Sequence, residues 1–307
     1  MEIMITIYLD HNVIDGFDKG ETAYIDPLFA DKKILLIVSL ASVDEIFRGG
    51  DEARSEKNIE SLKRLGVRYI HHDPDESHMS INELDYENMR DKWAKMQSEV
   101  GPLNDSYSQF INSLYRGNTP ETIQEMDEAI ENQVAWIKNN YDKFPSVKIQ
   151  MDTILHDPQE YKELSRQALH LKGLLPFTPK EINNIQEKKV FWFCVDKLKS
   201  ADNSNLQLIG ESIENEIKSA KTISDQFTIV FYWLNFFGYY PDDLTKKNKA
   251  RSNFSDATHA EYAIACDGLL TSDKKFAHRA AAAIGALELR TKVSSNATDL
   301  LHRIVAE

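Results

Sequence analysis

The chain begins with short apolar runs that end in polar residues. Residues 3–9 are apolar and β-branched and stop at Asp10, which predicts a buried strand leading into a polar loop. Residues 34–38 predict a second strand, and apolar side chains at helical spacing over 39–48 predict a helix. We expect that helix to continue almost to a third strand at 67–70. This alternation of strands and helices predicts a parallel sheet.

The middle of the chain has a different pattern. Between residues 74 and 249, long charged segments with helical periodicity predict a large all-α insertion. Its Gly-Pro, Thr-Pro and Asp-Pro pairs predict helix breaks, and Thr119 and Thr178 predict helix starts capped by threonine. Its aromatic runs, 190–195 and 227–240, favour helix packing over a base-stacking platform, because they lie within apolar segments.

The alternation returns near the end of the chain. We predict a helix over 255–266, a strand over 268–271, a helix over 273–284, a strand near 287–289 and a final helix from Asn296. The sequence therefore predicts an α/β fold in which helices flank a parallel sheet. Its predicted parts are an N-terminal segment (1–73), the helical insertion (74–249) and a C-terminal segment (250–307).

The composition is that of a folded protein. Of 307 residues, 42% are hydrophobic and 28% are charged, a balance typical of globular domains. The sequence has no leader pattern and no apolar run of roughly 18 residues, so we expect a cytoplasmic protein without a membrane partner. Cys194 and Cys266 lie in apolar surroundings, which predicts buried free thiols. The net charge of −13 opposes long-range attraction to nucleic acid.

Four acidic residues occupy comparable places in the predicted fold. Asp10 and Asp273 directly follow strands, while Glu45 and Asp256 lie near the starts of helices. Such positions meet at the carboxyl ends of parallel strands, where carboxylates from separate elements can bind Mg²⁺ or Mn²⁺. Taken singly, each acid also fits a turn, a solvated helix position or a helix start. His259 shares a helical face with Asp256, where it would either hydrogen-bond the site or pack in a helix interface.

The residues around these acids resemble the four motifs of PIN-domain nucleases. Residues 7–14 (IYLDHNVI) resemble the opening strand with its Asp-x-Asn, and residues 38–46 (VSLASVDEI) resemble the strand, serine and acid-bearing helix that follow. Residues 255–260 (SDATHA) and 268–276 (GLLTSDKKF) resemble the third and fourth motifs, in the same order. The long middle segment is similar to that of insertion-bearing, PIN-like bacterial proteins.

This resemblance implies a site and a chemistry. Four acids would be the catalytic residues and the ligands of Mg²⁺ or Mn²⁺: Asp10, Glu45, Asp256 and Asp273. Asn12 and Thr271 would support the site from outside the ligand set. The family hydrolyses phosphodiester bonds with a metal-activated water, and the resemblance favours RNA as substrate, with DNA as the alternative. It also implies a homo-oligomer.

Basic residues near the last two motifs are candidates for contacts with substrate phosphates. They are Lys246, Lys247, Lys249, Arg251, Lys274, Lys275 and Arg279. Such residues would create a locally positive electrostatic field although the net charge of the protein is negative. An ordinary solvated loop and helix face explains them equally well.

Two other functions remain open from the sequence. A phosphatase of the haloacid-dehalogenase type also begins with a strand-terminal aspartate, but that family has Asp-x-Asp, and Asn12 would remove its general acid. The second alternative is a PIN-like scaffold without catalysis, whose helical insertion binds RNA or a protein partner. Binding of Mn²⁺ that is abolished by Asp10→Asn would favour the nuclease over this scaffold.

Overall fold

The structure is a computed structural model that describes residues 4–20, 33–72, 79–116, 119–140, 157–241 and 249–306. Six strands of these residues form one sheet: β1 (Ile5–Leu9), β2 (Ile34–Ser39), β3 (Arg68–His72), β4 (Met79–Glu83), β5 (Gly268–Leu270) and β6 (Lys292–Ser294). Their order is β4-β3-β2-β1-β5-β6, and every pair is parallel except β3 with β4. The predicted α/β class is confirmed, and the sheet, which we predicted to be parallel, is parallel except at β4.

Helices flank the sheet on both faces. In chain order they are α1 (His11–Asp18), α2 (Leu40–Arg48), α3 (Glu52–Leu65), α4 (Met89–Arg116), α5 (Pro120–Asn140), α6 (Pro158–Lys172), α7 (Pro179–Ile182), α8 (Glu187–Lys199), α9 (Ser204–Ser219), α10 (Ile223–Phe237), α11 (Lys249–Ala263), α12 (Lys274–Ala286) and α13 (Ala297–Val305). The predicted threonine caps are confirmed, because Thr178 forms a capping box with Glu181 and Thr119 Oγ1 accepts a hydrogen bond from the Thr122 amide.

Two strands differ from the prediction. β4 lies in the range predicted to be all-helical, and it is an edge strand with little buried surface, so its apolar pattern is weak. The strand predicted near 287–289 is wrong, because Leu287 is the C-cap of α12 and Glu288 has a φ of +54°. The strand lies at β6 instead, where three residues pair with β5. Pairing with a neighbouring strand, rather than apolar periodicity, determines where such short strands form.

Two helices also differ from the prediction. The single helix expected from residue 39 to the third strand is divided, because Gly49 and Gly50 separate α2 from α3 and Gly50 has a left-handed φ of +68°. The break expected at Gly101–Pro102 is wrong, since α4 continues through Pro102. A proline inside a helix destabilises it by about 3 kcal/mol. The packing of α4 along α5 offsets that cost.

The two faces of the sheet contribute to two cores. Ile7 and Leu9 face one core with the helices nearest the chain ends, while Tyr8 faces the other, as the alternation of a strand requires. Helices between residues 89 and 237 pack into the core that contains Tyr8, except for the start of α4, where Met89 belongs to the other core. The buried rings of Phe191 and Phe231 belong to it, which confirms helix packing as their role.

Two further expectations concern burial and membranes. Cys194 and Cys266 are buried free thiols, as predicted, and burial raises the pKa of each to about 12. No helix of the described residues combines the length and apolar character needed to cross a bilayer.

Candidate metal centre

The candidate site lies at the carboxyl ends of β1 and β5. From β1 the chain builds β2 and β3 on one side, and it later adds β5 and β6 on the other side. In an open parallel sheet, this change of direction leaves a crevice for ligands. Asp10 directly follows β1 and Thr271 directly follows β5, and the Asp10 amide donates to the Leu270 carbonyl at 3.0 Å.

Three side chains converge in this crevice. One ligand atom from each of Asp10, Glu45 and His259 lies within 4.8 Å of the other two. His259 Nε2 is 3.4 Å from Glu45 Oε2 and 4.0 Å from Asp10 Oδ1. His259 is fully buried, and its Nε2 has no partner with hydrogen-bond geometry among the described residues.

Hydrogen bonds from neighbouring side chains orient the two carboxylates. Asp10 Oδ2 accepts hydrogen bonds from Thr271 Oγ1 at 2.7 Å and from Asn12 Nδ2 at 3.0 Å. Glu45 Oε1 accepts from Ser255 Oγ at 2.5 Å and from the Arg48 guanidinium at 3.4 Å. Each carboxylate therefore keeps its other oxygen toward His259. The contacts expected of Asn12 and Thr271 are present, and their supporting role stays a prediction.

The imidazole is held in the same way. His259 Nδ1 lies 2.7 Å from the Tyr8 hydroxyl, which lies 2.6 Å from Ser39 Oγ. Ser39 is the N-cap of α2, the helix that carries Glu45, and its Oγ accepts from the Ala41 amide. Burial raises the pKa of Tyr8 well above its ordinary value, so this residue contributes a neutral hydroxyl.

The three converging groups influence one another electrostatically. Burial opposes protonation of His259, but the carboxylates of Glu45 and Asp10 outweigh burial and raise its pKa. Burial also disfavours the charged form of Glu45, yet the imidazole lowers the pKa of Glu45 to about 2. Burial raises the pKa of Asp10, and the charge of Glu45 adds to that effect. A cation among these groups would offset the repulsion between the carboxylates.

The donor atoms fit a divalent metal ion. Two carboxylate oxygens and one imidazole nitrogen are ligands that such ions take in proteins. Ligand atoms about 2.0–2.2 Å from a metal lie roughly 3–3.5 Å apart. The 3.4 Å between His259 and Glu45 is within that range, and the 4.0 Å between His259 and Asp10 is slightly longer. The fit is supported by the buried Nε2, which faces both carboxylates but has no partner with hydrogen-bond geometry among the described residues.

The other two predicted ligands have different surroundings. Asp256 Oδ2 accepts from the guanidinium of Arg279 at 2.6 Å, in an ion pair whose arginine is fully buried. Asp273 is the N-cap of α12, and its Oδ1 accepts from the amides of Lys275 and Phe276. Neither belongs to the converging group. The structure thus brings together two of the four predicted acids and adds His259.

Three of the predicted phosphate-contacting residues, Lys274, Lys275 and Arg279, have described side chains, and their surroundings differ. Arg279 is buried against Asp256 and the Tyr240 carbonyl, so its placement does not support a phosphate contact. Lys274 and Lys275 are exposed, and Lys275 Nζ donates to the Pro241 carbonyl at 2.6 Å. Lys246 and Lys247 lie outside the described residues. The side chains of Lys249 and Arg251 are likewise outside the description, which covers only their helical backbone.

Three residues of the site were missed in the sequence. Tyr8 belongs to an apolar strand and was interpreted as core, although its hydroxyl needs a partner when buried. Ser39 and Ser255 are part of the quoted motifs, but neither was assigned a contact. A tyrosine two residues before a strand-terminal aspartate was the available signal for Tyr8.

Comparisons with known proteins give no match. No protein-family model matches this chain, and no curated protein or solved structure is significantly similar to it. The resemblance to PIN-domain nucleases therefore rests on the motif residues alone.

Proposed function

We propose that this chain is a metal-dependent, PIN-like nuclease that hydrolyses phosphodiester bonds, with RNA as the favoured substrate and DNA as the alternative. The observation that carries the proposal is the buried convergence of Asp10, Glu45 and His259 at the sheet crevice. The order and spacing of the four motifs support it, since the acids of the first two motifs are those that converge. In this proposal, residues 74–249 are an insertion into the PIN-like fold.

The side chains at the site suit Mg²⁺ or Mn²⁺ held by Asp10 and Glu45. A bound divalent ion supplies Lewis acidity toward water and toward phosphate oxygens. Hydrolysis forms a bond between the water oxygen and phosphorus, breaks the bond to the leaving oxygen, and transfers a proton to that oxygen. Arg48 is a candidate for orienting the phosphate, because its partly exposed guanidinium lies 3.4 Å from Glu45 Oε1.

The test is cleavage of labelled RNA and DNA panels in Mn²⁺ or Mg²⁺ by the full chain. We expect Asp10→Asn to lower the cleavage rate by about a hundredfold or more. Mutation of a residue that merely hydrogen-bonds a metal ligand typically lowers activity about 10–100-fold, and loss of the ligand itself should cost at least as much. Asp51→Asn is the matched control, since Asp51 is an exposed helix N-cap and asparagine caps equally well. If wild type and Asp10→Asn leave every substrate intact, the nuclease proposal is wrong.

One observation favours a second function, a PIN-like scaffold without catalysis. Asp256 is neutralised by Arg279 and Asp273 caps a helix, so two of the four expected acids have structural partners. A scaffold would bind RNA or a protein partner without needing a metal. Calorimetry separates the two functions, because the nuclease requires a Mn²⁺ binding signal that Asp10→Asn abolishes, and the scaffold does not.

A further inference from the structure

The candidate metal centre differs from an all-carboxylate site by its nitrogen atom. His259 Nε2 is fully buried, has no hydrogen-bond partner among the described residues, and faces one oxygen each of Glu45 and Asp10. An unpartnered buried nitrogen is unfavourable unless something else satisfies it. A metal ion would satisfy it as a ligand, while the far side of the same ring is already held by the protein.

The direction of the hydrogen-bond chain decides whether Nε2 has a lone pair. Ser39 Oγ accepts from the Ala41 amide and can accept a second hydrogen bond from the Tyr8 hydroxyl. The Tyr8 oxygen then accepts from His259 Nδ1–H, so the neutral form of the ring carries its lone pair on Nε2. A metal ion that binds there displaces the proton that the two carboxylates favour on the metal-free ring. The opposite direction would place the proton on Nε2 and exclude metal binding there.

The nitrogen ligand also bears on which metal binds. Mg²⁺ strongly prefers oxygen ligands and water. Imidazole suits Fe, Ni, Cu and Zn best, and Mn²⁺, which also takes carboxylates, is the first member of the same transition series. Two carboxylates would retain affinity for hard cations, but a required imidazole shifts the preference toward the transition series. The composition of the donor set therefore gives a selectivity that a cluster of four carboxylates does not.

We propose that His259 binds a first-row transition ion through Nε2, that the hydroxyls of Ser39 and Tyr8 hold it in the required tautomer, and that the site consequently prefers Mn²⁺ over Mg²⁺. This inference deepens the proposed function, because it rests on metal binding at the same site. Tyr8 acts as a positioning residue through His259. It does not touch the metal or the substrate.

The experiment uses the full chain, freed of metal and loaded with Mn²⁺. Pulsed electron paramagnetic resonance reports whether an imidazole nitrogen is bound to Mn²⁺, and calorimetry with Mg²⁺ competition measures the preference. We expect nitrogen coupling in wild type and its loss in His259→Gln, together with a fall of about tenfold or more in the Mn²⁺ preference. Tyr8→Phe should weaken Mn²⁺ binding about 10–100-fold. The control Tyr239→Phe, which also removes a buried hydroxyl, should leave it unchanged.

The outcomes distinguish this inference from the proposed function. Nitrogen coupling in wild type supports the inference even if a variant fails to fold, and it does so whether or not the protein cleaves nucleic acid. Bound Mn²⁺ without nitrogen coupling overturns the inference and leaves the nuclease proposal standing. Absence of Mn²⁺ binding at millimolar concentration overturns both.

Discussion

Asp256 and Arg279 form a deeply buried ion pair near the candidate site. The guanidinium donates to Asp256 Oδ2 at 2.6 Å and to the Tyr240 carbonyl at 2.7 Å, and Arg279 has no exposed surface. A buried charge is tolerated because a partner compensates it. Asp256 therefore serves as the counterion that keeps Arg279 in the core between α11 and α12.

This ion pair predicts a specific pattern of stability. Arg279→Met should destabilise the protein by about 3–5 kcal/mol, because it leaves the Asp256 carboxylate buried without its partner. The double variant Asp256→Asn/Arg279→Met should recover part of that loss. Urea unfolding measures both, with Lys274→Met as the control on the exposed side of the same helix. Equal destabilisation in the single and double variants would contradict the pairing.

The Glu45–His259 contact predicts a pH dependence of the metal-free protein. The pKa of Glu45 is lowered from 4.5 to about 2 in the folded protein, so its contribution to stability is present above pH 4.5 and is lost as the pH falls toward 2. His259 has a raised pKa, so its contribution is present below its ordinary pKa of 6.5 and is lost as the pH rises through the raised value.

The measurement compares urea unfolding of wild type and Glu45→Gln in the presence of a chelator. Between about pH 5 and about pH 3, wild type should lose on the order of 1–3 kcal/mol more than the variant, because only wild type takes up the Glu45 proton on unfolding. His259→Gln should reduce the same acid sensitivity. An identical acid slope in all three proteins would show that the contact does not contribute.

At the scale of elements, α8 and α12 approach each other closely at Gly285. A Cβ atom there would lie 2.8 Å from the Lys188 Cα and 2.9 Å from its Cβ, which is closer than packing allows. The indole of Trp192 on α8 donates to the Ala286 carbonyl at 2.9 Å and joins the same two helices. The glycine is therefore needed for helix approach although it disfavours the helix itself.

Gly285→Ala is expected to lower the free energy of unfolding by about 1–3 kcal/mol, the usual effect of overpacking. Gly49→Ala is the matched control, because nothing lies within 4 Å of its Cβ position and its φ of −66° suits alanine. That control should be neutral or stabilising by up to about 1 kcal/mol. Urea unfolding of both variants is the measurement. An unchanged free energy of unfolding in Gly285→Ala would show that α8 and α12 can move apart without destabilising the protein.

Elements with strong local signals could be predicted from the sequence. β1 and β2 are apolar runs that end in polar residues, and α12 and α13 begin at capping residues, Asp273 and Asn296. β4 and β6 could not be predicted, because edge strands of three to five residues take their conformation from neighbours. The continuity of α4 through Pro102 also depends on packing that no local pattern records.

At the scale of the whole molecule, the middle helices and the sheet share one core. Tyr8 and Ile37 of the sheet belong to the same buried cluster as Phe191 of α8 and Phe231 of α10. Cys194 on α8 and Cys266 just before β5 also belong to it. Because the core is continuous, the middle helices and the sheet should unfold together.

The two thiols report on this coupling. Burial raises the pKa of each to about 12, so neither should react with a thiol reagent near neutral pH until the core opens. In the single-cysteine variants Cys194→Ala and Cys266→Ala, the remaining thiol should give the same free energy of opening as global urea unfolding. Exposure of Cys194 at a lower urea concentration than Cys266 would instead indicate a middle segment that unfolds alone.

The sequence by itself determined the α/β class, the strands that Asp10 and Thr271 directly follow, and the placement of Asp10 and Glu45 near the carboxyl ends of the strands. These follow from local patterns, since apolar runs, caps and polar strand ends depend on neighbouring residues. Tertiary structure alone decided which side chains meet. Asp256 and His259 are one turn apart on α11, yet the first pairs with Arg279 and the second faces Asp10. The packing of α11 against α4, α10 and β1 determines which of the two side chains enters the crevice.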